Sequence, residues 1–333
     1  MSRIEPFDTL PDGRTVEQVT LQGGGLTANV LTYGATVQDL RLDGVDHPLV
    51  LGADRIAPYL GPMTYFGAIV GRYANRIAGG HFKADGRDWQ ADLNEGGRTT
   101  LHGGSEGTGQ MLWSIAAFSD SSVTMVLDLP DGHMGFPGAM QVQVICSLSA
   151  EAALNFEITA EADRPTPCNF AHHGYFNLDG GPDILNHRLQ IAAAHYLPVD
   201  ADLIPTGKET HVEGTAFDFR EPRVIAPGGY DHNFCLWRSR TDLRPVALLR
   251  GQSGLTMEVD TTEPGLQVYD GGGFGAMQGL GGRSYGRFAG VALETQNWPD
   301  APNHPHFPDW LLKPGQTYRH RVSYRFSRAS QGQ

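Results

Sequence analysis

Two adjacent histidines, His172 and His173, sit in NFAHHGYFNL (residues 169–178), and one glutamate, Glu294, interrupts the apolar run of GVALETQNWPD (residues 290–300). Both stretches are rich in strand-forming residues, and in an extended chain neighbouring side chains leave on opposite faces. One face of the first stretch carries Ala171, His173, Tyr175 and Asn177. The other carries Phe170, His172, Gly174, Phe176 and Leu178. The first set suits the wall of a small-molecule site and the second belongs against a core. His173 is therefore the candidate for chemistry, and His172 reads as a partly buried histidine tied by one hydrogen bond. In the second stretch, alternation groups Ala292, Glu294 and Gln296 opposite Val291, Leu293 and Thr295. A carboxylate inside an apolar strand is costly unless it is paired or functional. Two readings stand side by side. Glu294 is half of a buried ion pair with an arginine, or it meets His173 across a pocket as general base to general acid. Reference pKa values of about 4.3 and 6.5 allow both groups to exchange protons near neutrality after modest tuning.

Other residues fit such a pocket less specifically. GRYANRI (71–77) holds Arg72, Asn75 and Arg76, and arginine offers a rigid fork of donors for hydroxyl or carboxylate oxygens. From spacing alone, an ordinary surface arginine pair is the simpler account. His102 precedes a glycine turn in LHGG, and Asp231 stands at a strand entrance in YDHNF, where turn formation is the simpler account. Gln267 shares a strand face with Tyr269 in GLQVYDGG. GGSEG (103–107) has the letters of a nucleophile elbow, but the TGQMLW that follows is glycine-interrupted and not amphipathic, and the chain lacks βαβ alternation. GGGFGAMQGLGG (271–282) fails as a dinucleotide fingerprint for want of a following helix and is expected to be a flexible loop. His102, His172, His173, His232 and Glu294 are the residue types of a cupin-like metal set, with His304 and His306 as further ligands. No spacing in the chain places them together, and no metal is expected.

The elements that must position these groups are short alternating runs. They include residues 26–42, 121–129, 140–150, 153–162, 187–199 and 318–326, punctuated by 43 glycines and 21 prolines among 333 residues. Helical period is nearly absent; ADRIAPYLG (53–61) has room for a turn or two. No linker, composition break or repeat divides the chain, so one all-β domain over residues 1–333 is predicted. A net charge of −12 leaves no footprint for nucleic acid or an anionic membrane surface. No apolar run approaches the roughly 20 residues of a spanning helix. Three scattered cysteines and an N-terminus without an apolar leader predict a cytoplasmic protein.

Taken in order, the segments TYGATV (32–37), GRYANRI, LHGG, DGHMGFPG (131–138), HHGYFNL, YLPVDADLIPTGK (196–208), YDHNF, LQVYDG, LETQNWPDAPNHPHFP (293–308) and LLKPGQTY (311–318) resemble the aldose 1-epimerase (galactose mutarotase) family. The resemblance implies a large antiparallel β-sandwich, a supersandwich, with a sugar in an open cleft. It implies His173 as general acid and Glu294 as general base, with Asn75, Arg76, His102, Tyr175, Asp231 and Gln267 on sugar hydroxyls. It further implies a free aldose as the small-molecule partner, no cofactor, and a monomer or homodimer. The chain departs from the family pattern at His172 (usually asparagine), Gly174 (usually serine or threonine), His133 and Met134 (usually an acidic pair) and Trp298. The catalytic pair is untouched, whereas sugar preference is left open. A related sugar or a hexose 6-phosphate, a sugar-binding module without catalysis, and a metal-dependent cupin-like enzyme are the rival readings.

Overall fold

The computed structural model describes residues 3–328; the ends of the predicted 1–333 domain, residues 1–2 and 329–333, lie outside them. Strands dominate, and the longest helical piece among the described residues is the four-residue 3-10 turn Ala57–Leu60. Among the described residues, no helix is long and apolar enough to cross a membrane.

Two antiparallel sheets position the site. A nine-stranded sheet is centred on Met140–Ser149, Ala153–Ala162, Tyr318–Arg328 and Leu255–Thr261. Its strands bury every second residue, as Val142, Val144, Cys146 and Leu148 do along Met140–Ser149. A six-stranded sheet runs in the order Tyr175–Phe176, Val291–Gln296, Gly265–Tyr269, Asp231–Cys235, His195–Tyr196, Thr210–His211. One face of this second sheet, with Phe234, Leu266, Val268, Val291 and Leu293, joins Val322, Tyr324 and Phe326 of the first in a common core. Each such side chain contributes about 1.5–3 kcal/mol by leaving water. The opposite face carries Asp231, Gln267, Glu294 and Gln296, so the back of the core is the floor of the site. A four-stranded sheet, Arg3–Thr9 to Thr36–Leu42, packs Val19, Leu21, Val30, Val37 and Leu40 into the same core.

Several predicted runs prove to be two strands. Residues 26–42 break into Leu26–Leu31 and Thr36–Leu42 where Gly34 and Ala35 take positive φ of 70° and 48°. Residues 187–199 divide between sheets: Arg188–Ile191 joins the nine-stranded one and His195–Tyr196 the six-stranded one. The two-histidine segment is likewise interrupted. Ala171–His172 pairs with Ile69–Val70, and Tyr175–Phe176 pairs with Val291–Gln296.

Candidate active site

Glu294 comes from Val291–Gln296, a strand buried on both faces. Its side chain is 2 % exposed and reaches the wall of an open cleft of about 1010 Å³. His173 reaches the same cleft from the gap between two short strands. Its N–H donates to the Ala68 carbonyl at 2.8 Å and its carbonyl accepts the Gly67 N–H at 2.9 Å, which fixes the backbone there. His173 Nε2 then stands 3.5 Å from Glu294 Oε1. His172 points the other way, stacked on Phe156 with 4.4 Å between ring centroids and 3.4 Å from the Tyr324 hydroxyl. Alternation therefore assigned the two histidines to the correct sides.

Burial disfavours charge on both members of the pair. It pushes His173 down to about 4. Burial first, and the Asp231 charge second, raise Glu294 well above the usual carboxylate range, with Arg76 pulling the other way. The two shifts favour the uncharged form of each group, neutral imidazole and carboxylic acid, over the separated ion pair.

The remaining candidates arrange themselves around that pair. Asn75 and His102 both take positive φ, 63° and 51°, a conformation asparagine tolerates and histidine rarely adopts. They are locked by reciprocal bonds: the Asn75 N–H donates to His102 Nδ1 at 3.1 Å, and the His102 N–H donates to the Asn75 carbonyl at 3.1 Å. An amide N–H can only donate, so neutral His102 carries its proton on Nε2. The ring of Tyr65 lies 4.6 Å from that of His102 and 6.0 Å from that of His173. Arg76 forks onto Glu95 with two 2.8 Å bonds, and its third nitrogen lies 3.5 Å from Asp231. Burial lowers the Arg76 pKa, but the bonds to Glu95 and the charge of Asp231 more than restore it. Tyr175 packs beside Phe66, with 4.3 Å between ring centroids.

Seven of the eight predicted site residues line the cleft: His173, Glu294, Asn75, Arg76, His102, Tyr175 and Asp231. Gln267 does not. It stands directly between Asn233 and Glu294 in register and donates to Asp231 Oδ1 at 2.6 Å, bracing that carboxylate from behind. The surface-pair reading of the arginines fails, because Arg72 and Arg76 are only 2 % and 7 % exposed. Arg72 turns away from the cleft to donate to the carbonyls of Pro130, Pro137 and Gly138.

Sequence reasoning passed over Tyr65, Glu95, Phe288 and Asp270. Phe288 lines the cleft at φ 63°. Buried Asp270 accepts the N–H groups of Gly229, Tyr230 and Gly272, tying together two loops of the rim. GGSEG is a turn-rich loop between strand Thr99–Leu101 and the single 3-10 turn Thr108–Gln110, with no α-helix after it, and Met277–Gln278 with Ser284–Tyr285 makes a small hairpin in the second glycine-rich segment. The residues that depart from the family pattern, His133, Met134, His172, Gly174 and Trp298, are all absent from the cleft wall.

The five-residue metal set does not assemble. His172 faces the core and His232 packs on Phe217 with 4.5 Å between ring centroids. His102, His173 and Glu294 do bring ligand atoms within 4.8 Å of one another. Their chemistry does not suit an ion, since His102 Nδ1 accepts the Asn75 N–H and Nε2 must keep its proton.

The aldose 1-epimerase family model matches residues 17–325. Galactose mutarotase of Bos taurus is 41 % identical over 336 aligned residues, covering 96 % of this chain and 97 % of that one. Aldose 1-epimerase of Escherichia coli K12 is 36 % identical, covering 95 % and 96 %. The crystal structure of an aldose epimerase homologue from C. elegans superposes with a TM-score of 0.88 at 28 % identity, covering 94 % of this chain and 99 % of that one.

Proposed function

The chain belongs to the aldose 1-epimerase family, and from that premise we propose that it interconverts the α and β anomers of a free aldose such as galactose or glucose by acid–base ring opening and reclosure. It is an isomerase. The observation that carries the residue assignment is the 3.5 Å approach of His173, from the gap between two short strands, and Glu294, from strand Val291–Gln296, onto one cleft.

Ring opening takes a proton from the C1 hydroxyl and delivers one to the ring oxygen. Glu294 in its carboxylate form accepts the first, and His173 in its protonated form gives the second. That form differs from the neutral pair only by a proton moved across the 3.5 Å gap. Arg76, which pulls the Glu294 pKa down, favours it. Rotation about C1–C2 turns the aldehyde, and the two roles reverse on closure. Each positioned acid or base typically supplies about 10²- to 10⁴-fold. Nothing is oxidised and no phosphoryl group moves, so the reaction calls for no cofactor.

The His102 Nε2–H and the Asn75 amide are donors for sugar oxygens, and Asp231, braced by Gln267, is an acceptor. Arg76 is already committed to Glu95, which leaves its fork unavailable to a sugar phosphate and favours a free aldose. A matched acid and base would serve no purpose in a mere binder. Residues 1–333 as one domain and a place in hexose metabolism belong to the same proposal, as does a cytoplasmic setting, which the three free cysteines support.

Polarimetry on glucose, galactose, arabinose and glucose 6-phosphate tests this, with Glu294→Gln as control. Accelerated anomer exchange on a free aldose, lost in the control, is expected. Sugar binding in calorimetry without acceleration would make the protein a binding module.

A further inference from the structure

Away from the cleft, the hairpin of His195–Tyr196 and Thr210–His211 ends the six-stranded sheet. His195 and His211 oppose each other directly across it, so their side chains share one face. Their Nε2 atoms lie 3.3 Å apart and their ring centroids 4.1 Å apart. Neither lines the cleft. We propose that these two histidines form a binding site for a divalent transition-metal ion of the Zn²⁺ class.

Two imidazole nitrogens each about 2.0–2.1 Å from a tetrahedral ion lie about 3.3–3.4 Å from one another. The pair stands at that spacing before any ion arrives. In its absence one ring donates an N–H to the other; on binding, that ring shifts its proton through water to Nδ1, so that both Nε2 lone pairs face the ion. The rings need only turn about χ2, a broad torsion in histidine, to aim both lone pairs at one point. His211 is exposed and His195 partly so, which leaves room for the turn and for water at the remaining coordination positions. Imidazole donors suit Zn²⁺, Ni²⁺ and Cu²⁺, and hard oxygen-seeking Mg²⁺ or Ca²⁺ poorly. Cys235 takes the next place in the same cross-strand row, but its sulfur does not complete a three-ligand set with the pair.

The site has a structural consequence because of what the hairpin encloses. Its two strands are the stems of the 197–209 loop, and that loop brings Leu203, at φ 59°, to the cleft wall. A bound ion fastens the stems side chain to side chain, where two backbone-paired residues on each now hold them.

Calorimetric titration of the full chain with ZnCl₂ at pH 7.5 tests the proposal, using wild type, His195→Ala, His211→Ala, His195→Gln and Glu294→Gln. One equivalent should bind wild type and Glu294→Gln alike. Partners behind a metal ligand are alone worth about 10- to 100-fold in affinity, so losing a ligand should weaken binding at least tenfold in each histidine variant. Zn²⁺ should also slow proteolytic cleavage within 197–209 in wild type and leave it unchanged in His195→Gln. No binding at millimolar Zn²⁺, or binding undiminished in the histidine variants, would overturn the site. So would binding lost in Glu294→Gln, which would put the ion in the cleft.

Discussion

Glu294→Gln separates catalysis from architecture, because the two respond in opposite directions. Glutamine has the shape of a protonated glutamic acid, so the variant freezes the pair with its proton on position 294. His173 keeps a hydrogen-bonding neighbour at its 3.5 Å distance, but nothing remains to accept the C1 proton. Losing one positioned base predicts a fall in kcat of about 10²- to 10⁴-fold, or roughly 2.7–5.5 kcal/mol in the barrier. Stability moves the other way. The folded protein holds the Glu294 pKa well above its unfolded value of 4.5, so wild type is fully stable with respect to this group below that value. It loses stability as pH rises toward the folded pKa, because the unfolded chain sheds the proton more readily. Glutamine carries no such penalty. At pH 8 the variant should therefore unfold at the same temperature as wild type or slightly above it, each kcal/mol being worth no more than about 2–4 °C in a chain this long. Polarimetry on galactose and thermal denaturation at pH 5 and pH 8 read both effects. Activity within tenfold of wild type would refute the role of base. A markedly lower melting temperature at pH 8 would show that the carboxylate is structural.

Three further outcomes follow from the same geometry. The pair must carry one proton to work, so kcat/KM should fall in acid only as His173 gains a proton toward pH 4, and on the alkaline side only above the usual carboxylate range, as Glu294 loses its own; an acid limb centred near 6.5 would contradict this. Arg76→Lys gives up the paired hydrogen bonds to Glu95, and charge-assisted hydrogen bonds are worth about 1.5–3 kcal/mol. It should cost about 10- to 100-fold in kcat/KM, and unchanged kinetics would refute the assignment of Arg76 to the site. A Cβ at Gly174 would lie 2.5 Å from the His172 ring, so Gly174→Ser should lose about 1–3 kcal/mol alone and recover most of it with His172→Asn. Urea unfolding of the four proteins checks the cycle, and additive losses would show the two positions to be independent.

Much of the site was legible because period-two alternation is a local property. It separated His173 from His172 and grouped Glu294 with Ala292 and Gln296, and Gln267 with Tyr269, on one side of their strands. What escaped depended on contacts distant in the chain. Nothing near Arg76 announces Glu95 as its partner, and nothing near Arg72 shows three backbone carbonyls waiting for its guanidinium. Tyr65 precedes an unremarkable glycine turn, yet the fold sets its ring against both cleft histidines. Gln267 was placed on the correct face but one step too far forward, since pattern does not report which of two neighbours stands in front. The interruption at residues 173–174 was invisible for the same reason: it arises where one segment leaves one sheet for another.

The six-stranded sheet gives one side to the core and the other to the reacting groups, and this bears on how such a protein can change over evolutionary time. A substitution that repositions Glu294 or Asp231 must also disturb Leu293 or His232 next to it, so the floor is conservative by construction. The rim is under no such restraint. Leu203 and Gly228 stand on loops that meet solvent, and they can be exchanged without repacking the interior. Descendants with altered sugar tastes should therefore keep the reaction and differ at the lip.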